Sequence, residues 1–98
     1  MQTGRRFPAR HVSVILKENA LLFTRFAFVV STRVDKRATA RNRMKRLLSE
    51  AIRLHMGKIQ PGWDVVVIVN DKRMLDAGVY IGQELQEVLG KAGLTKNN

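Results

Sequence analysis

The spacing of hydrophobic positions along this chain changes repeatedly, and each change marks an element. Val12, Val14 and Leu16 alternate with Ser13, Ile15 and Lys17, the period of a strand that begins near His11. Lys17, Glu18 and Asn19 read as a turn, and the run from Ala20 to Ser31 is rich in aromatic and β-branched residues. Phe26, Phe28 and Val30 share one face of that run, which predicts one strand or two short ones. Over residues 40–55, ARNRMKRLLSEAIRLH, the period lengthens to that of a helix. Met44, Leu47, Leu48, Ala51 and His55 fall on one side with Ile52 at its edge, while Asn42, Arg46, Ser49 and Arg53 fall opposite, flanked by Arg43 and Lys45. Thr39 is placed as N-cap and Gly57 as terminator.

After a break at Pro61 and Gly62, the unbroken apolar run Val65 to Val69 predicts a strand inside a sheet, buried on both faces. Asn70 to Arg73 forms a turn with further positive charge, and Ile81, Leu85, Val88, Leu89 and Ala92 then recur at helical spacing up to Gly93. Glu84 and Glu87 make the polar side of this last helix acidic, so its apolar side is assigned to covering the sheet. Residues 1–10 show no sustained period and are expected to be a flexible basic lead-in; residues 95–98 are expected to be a disordered tail. The order predicts an α+β fold, a mainly antiparallel sheet packed against helices, in a single domain over residues 11–94.

Ninety-eight residues suffice for one modest core. The absence of cysteine removes disulfides, thiolate metal sites and thiol nucleophiles, and permits a reducing, cytoplasmic setting. No apolar run approaches a membrane span, and the basic start MQTGRRFPARH lacks the hydrophobic segment of a secretory signal.

Charge changes the picture most. The chain carries 18 Lys and Arg against 8 Asp and Glu, a net of +10. Residues 33–58 hold nine of the basic side chains (Arg33, Lys36, Arg37, Arg41, Arg43, Lys45, Arg46, Arg53 and Lys58) against Asp35 and Glu50 alone. A helix solvated for its own sake interleaves acids with bases; this imbalance calls for an external polyanion. Arginine predominates, and its planar fork suits bidentate phosphate contacts and stacking on bases. The segment therefore reads as RNA-facing, with Arg33, Lys36, Arg37, Arg41, Asn42, Arg43, Lys45, Arg46 and Arg53 as candidate RNA-binding residues. A membrane surface fits poorly, because residues 40–58 contain no aromatic anchor. A DNA-binding helix-turn-helix needs a second helix where this chain has strand-like sequence.

The extended motif Arg41-Asn42-Arg43-Met44-Lys45-Arg46, with Glu50 four residues on, resembles the hallmark of the protein component of bacterial ribonuclease P. The approach Arg25 to Val34, the Gly62-Trp63-Asp64 start of the later strand and the last amphipathic helix follow the same family's order, over roughly residues 11–94. The resemblance implies a protein cofactor of a ribonucleoprotein endonuclease. Its partners would be the catalytic RNA subunit and precursor tRNA, whose 5′ leader is removed with Mg2+ bound chiefly through the RNA. It also implies that Arg41, Asn42, Arg43, Lys45 and Arg46 contact that RNA, and that the fold contains a left-handed βαβ crossover around the motif helix.

The chain departs from the family pattern at Asp35, often Gly or another small or basic residue, at Thr32, often Lys, and at Ser49, often Arg. The family's basic N-terminal helix, which helps form a cleft for the leader, has too few residues here before the first strand, and Arg5, Arg6 and Phe7 are read as its remnant. Charge and fold class alone would equally suit a ribosomal or general RNA-binding protein without a processing role; the extended motif favours the first reading.

Catalysis by the protein itself would need clustered carboxylates or a positioned histidine. His11 at a strand start and His55 on an apolar helix face are read as structural, and Asp64, Asp71 and Asp76 as turn or capping residues. No protein residue is assigned a catalytic role and no protein metal ligand is named. Trp63 is suited to either base stacking or the core, whereas Phe26 and Phe28 are assigned to the core.

Overall fold

The computed structural model describes residues 4–55, 59–75 and 81–95, with the side chain of His55 not included. The elements follow in the order β1 (Arg5–Pro8), β2 (Val12–Glu18), β3 (Arg25–Val29), α1 (Ala38–His55), β4 (Trp63–Val69), a short 3-10 turn (Lys72–Met74) and α2 (Ile81–Lys91). The strands form one sheet in the order β1-β2-β4-β3. β2 pairs antiparallel with both β1 and β4, and β3 runs parallel to β4. The fold is thus α+β with a mostly antiparallel sheet, and α1 is the crossover between its parallel pair.

Alternation on the strands decides where the core lies. Val12, Val14 and Leu16 on β2 and Val65, Val67 and Val69 on β4 are buried, and the partly buried Phe26 and Phe28 on β3 pack against them. Met44, Leu48, Ala51 and Ile52 of α1 and Ile81, Leu85, Val88 and Leu89 of α2 complete the same core. The opposite face holds Ile15, Val66 and Ile68 half-buried and Ala27 and Val29 exposed. This corrects the expectation that the apolar run of β4 is buried on both faces: β4 is central, but only its odd-numbered residues lie under the helices.

Several local expectations also change. Residues 5–8, assigned to a flexible lead-in and read as a helix remnant, form β1, because pairing of Arg5–Pro8 with Ser13–Leu16 satisfies their backbone and sets Phe7 against the core. Lys17 and Glu18 extend β2 through their pairing with Asp64 and Trp63, so the turn starts at Asn19, whose Oδ1 accepts from the Leu21 N–H at 2.8 Å. Ala20 follows in the left-handed region at φ 59°. Thr39 lies inside α1 rather than capping it: the Arg37 carbonyl accepts the first helical bond from the Arg41 N–H at 3.1 Å.

Thr95, placed in the tail, bridges antiparallel to Ile59. At the end of α2, Gly93 adopts φ +79° and the chain closes in a Schellman arrangement, Leu94 N–H to the Leu89 carbonyl at 2.9 Å and Gly93 N–H to the Gly90 carbonyl at 3.1 Å. That reversal returns Leu94 to the core. Gly57 and Asp76 lie outside the described residues.

Candidate nucleic-acid interface

The buried stripe of α1 fixes the direction of everything else on the helix. With Met44 and Leu48 fully inaccessible, Asn42, Arg43, Lys45, Arg46, Ser49 and Arg53 are turned outward, as the helical period predicts. The outward residues are not equivalent. Asn42, Arg43, Lys45 and Arg46 have no hydrogen-bond or ion-pair partner among the described residues, whereas Arg53 pairs with Glu50 one turn earlier. Four unengaged polar and cationic side chains on the first turns of a helix present a compact set of donors, of the kind that phosphates and 2′-hydroxyls can accept from.

Arg37 and Arg41, also singled out from sequence, are engaged internally. Arg37 Nε and Nη2 donate to the two carboxylate oxygens of Asp35 at 3.0 and 2.9 Å, and the Arg37 backbone N–H donates to the same carboxylate at 2.9 Å. Arg41 Nη1 reaches back to the carbonyls of Asp35 and Lys36 at 3.0 and 2.9 Å. These contacts hold the Asp35 carboxyl well below the usual carboxylate range, first through the side-chain bonds from Arg37 and then through its backbone N–H. Arg33 and Lys36 project from the same loop into solvent.

The loop after β4 supplies residues left out of the candidate set. Lys72 joins Arg33, Lys36 and Arg37 around an open groove of about 520 Å3, and Arg73 lies beside Arg33 around an adjoining one of about 460 Å3. The positive turn at 70–73 was visible in the sequence, but its adjacency to Arg33 depends on the parallel pairing of β3 with β4, which places their C-terminal ends side by side. Arg73 is partly neutralised by Asp71, which caps the 3-10 turn through the Arg73 N–H at 2.6 Å and is itself held below its usual range by the Arg73 side chain. Lys72 has no ion-pair partner among the described residues.

His11, Glu84, Arg25 and Asp64 serve the fold. Glu84 accepts from the His11 and Val12 backbone N–H groups at 2.7 and 3.2 Å and contacts His11 Nδ1 at 2.8 Å, tying α2 to the start of β2. Asp64 takes both Arg25 Nε and Nη2 at 2.8 Å and the Asn19 amide at 3.0 Å. Trp63 is half-buried against the core. Among the described residues no three His, Asp or Glu side chains converge as a metal site would require. Asp35, Asp64 and Asp71 are each paired with an arginine and stand apart from one another, a donor set that does not fit a protein-held magnesium ion. No described helix is long and apolar enough to cross a membrane.

Comparison with known proteins agrees with this architecture. The family model described as Ribonuclease P matches residues 1–93. The ribonuclease P protein component of Fusobacterium nucleatum is 35% identical over 69 residues, 70% of this chain and 61% of that protein. Its counterpart in Pseudomonas aeruginosa is 35% identical over 86 residues, 88% of this chain and 60% of that protein. The solved RNase P protein from Thermotoga maritima superposes with a TM-score of 0.82 at 25% identity, covering 90% of this chain and 83% of that one. The chain belongs to the ribonuclease P protein family. It spans about 60% of the length of these two sequence relatives.

Proposed function

We propose that this chain is the protein subunit of ribonuclease P, binding the catalytic RNA and assisting removal of the 5′ leader from precursor tRNA. The observation that carries the reading is the outward, unengaged set Asn42, Arg43, Lys45 and Arg46 on the first turns of α1, in the positions of the family's motif. Arg33, Lys36 and Lys72 extend the positive surface beside the start of the helix, and Arg37 adds an exposed guanidinium whose charge is paired with Asp35. Arg53, paired with Glu50, is assigned the outer edge of the contact.

The protein contributes charge and placement. Cations on α1 reduce repulsion between RNA strands that approach one another, and they bind with counterion release. Magnesium would supply nucleophile activation and charge neutralisation, and the family resemblance assigns it chiefly to the RNA.

The test is cleavage of a precursor tRNA by a bacterial ribonuclease P RNA at low magnesium, with and without the protein. Stimulation of correctly placed 5′ cleavage is expected. Binding without stimulation would reduce the chain to a general RNA-binding module, the reading that charge alone would equally support.

A further inference from the structure

An acid sits in the middle of the positive surface, and it is the least accessible charged side chain there. The Asp35 side chain is 6% exposed and surrounded by Arg33, Lys36, Arg37 and Lys72 along the groove. Electrostatics alone makes it a defect in a polyanion site. Screened by the open, solvated groove and its salt, a unit negative charge roughly 8 Å from a bound phosphate opposes binding by about twofold.

The geometry gives it a different part. Its carboxylate holds the Arg37 guanidinium in a two-point grip and accepts the Arg37 N–H, at the residue whose carbonyl starts α1. The Val34 and Asp35 N–H groups close on the Ser31 carbonyl at 3.1 and 3.4 Å, and Arg41 locks the carbonyls of Asp35 and Lys36 from the helix side. The loop from Ser31 to Arg37 is therefore held by backbone contacts at Val34, Asp35 and Lys36, and the Asp35 carboxylate adds the one side-chain link between Asp35 and Arg37.

We propose that Asp35 is a positioning residue for RNA binding, whose carboxylate, acting through Arg37, orders the loop carrying Arg33, Lys36 and Arg37 and raises affinity for a polyanion despite its own charge. This rests on the subunit reading. Holding the long Arg37 side chain and its stretch of loop before binding is worth about tenfold in affinity, which outweighs the roughly twofold repulsion.

The test compares the whole chain with D35N and R37Q, singly and together, for binding to a bacterial ribonuclease P RNA over a series of salt concentrations. Folding of each is checked by circular dichroism. Asn matches Asp in size and still accepts the Arg37 N–H, so the turn has a route to survive; the D35N/R37Q pair leaves no unpartnered buried charge. D35N raises the net charge yet is expected to bind about fivefold more weakly, whereas the same change in the R37Q background, where only the repulsion is left to lose, is expected to bind about twofold more tightly.

Equal or tighter binding by D35N would overturn the proposal. So would an equal loss in both backgrounds, or a lowered melting temperature with unchanged affinity, which would make Asp35 a purely structural acid. Failure of the subunit reading shows separately, as wild-type protein that prefers ribonuclease P RNA no more than an unrelated folded RNA. The D35N comparison is made on both RNAs and is decisive on either.

Discussion

Replacing Arg43 and Arg46 by alanine separates an RNA-binding helix face from a solvated one. Both side chains are exposed and lack an internal partner among the described residues, so truncation removes no contact of the fold. Alanine is also the better helix former. Stability should stay within about 0.5 kcal/mol of wild type for each change. RNA affinity should instead fall by about 1 to 3 kcal/mol per well-placed arginine.

Each lost phosphate contact also removes about 0.7 to 0.9 from the slope of log affinity against log salt, so a fourfold rise in salt should weaken the wild type about threefold more than either single variant. The effects should combine in the double variant, with a slope reduced by about 1.5. Fluorescence titration of ribonuclease P RNA at several salt concentrations reads the slope, and thermal denaturation reads the stability. An unchanged slope together with a large loss of melting temperature would refute the assignment and make these arginines part of the fold.

Leu48 and Leu54 test the orientation of the same helix. Leu48 is fully buried and Leu54 is 72% exposed, so Leu48→Ala should cost about 2 to 5 kcal/mol in urea unfolding and Leu54→Ala less than about 0.5 kcal/mol. Equal losses would mean that the helix is rotated from the position described. Asp64 gives a pH signature: its carboxyl is lowered to about 2, first by the side-chain bonds from Arg25 and then by Asn19. A depressed folded value means that the stabilisation is complete above the unfolded value of about 3.9 and is lost as pH falls toward 2. Asp64→Asn should therefore be less stable than wild type at neutral pH and converge with it below about pH 2, as followed by circular dichroism; a gap that persists there would place the effect outside the ion pair.

The elements that carry a strong period were legible from sequence, and those held by partners distant in the chain were not. The stripe Met44, Leu48, Ala51 and Ile52 fixed α1, and Ile81, Leu85, Val88 and Leu89 fixed α2, because each face repeats at the helical spacing. β1 was missed because RRFP has no alternation of its own and becomes a strand only when β2 pairs with it.

The start of α1 was misplaced at Thr39 because the helix begins at Ala38, after an Arg37 held by the carboxylate of Asp35, a residue that charge counting treats only as a loss of positive potential. The candidate site was legible as a set of residue types, through the motif Arg41 to Arg46. Which of its arginines point outward and which are engaged was not, since Arg41 lies at a half-buried position and returns to the preceding loop. Lys72 stands far from the motif in sequence and joins the surface only through the sheet order.

The placement of β4 constrains how the chain matures on the ribosome. β2 and β3 are consecutive in sequence but do not pair with one another; each pairs with β4, which is synthesised last of the four strands and sits between them. Until residues 63–69 have emerged, neither β2 nor β3 has its native central neighbour, and the apolar stripe of α1 has no completed sheet to cover. A nascent chain halted before Trp63 would carry its whole arginine-rich helix segment yet have no core to support it, so docking of that helix must follow translation of the strand that closes the sheet.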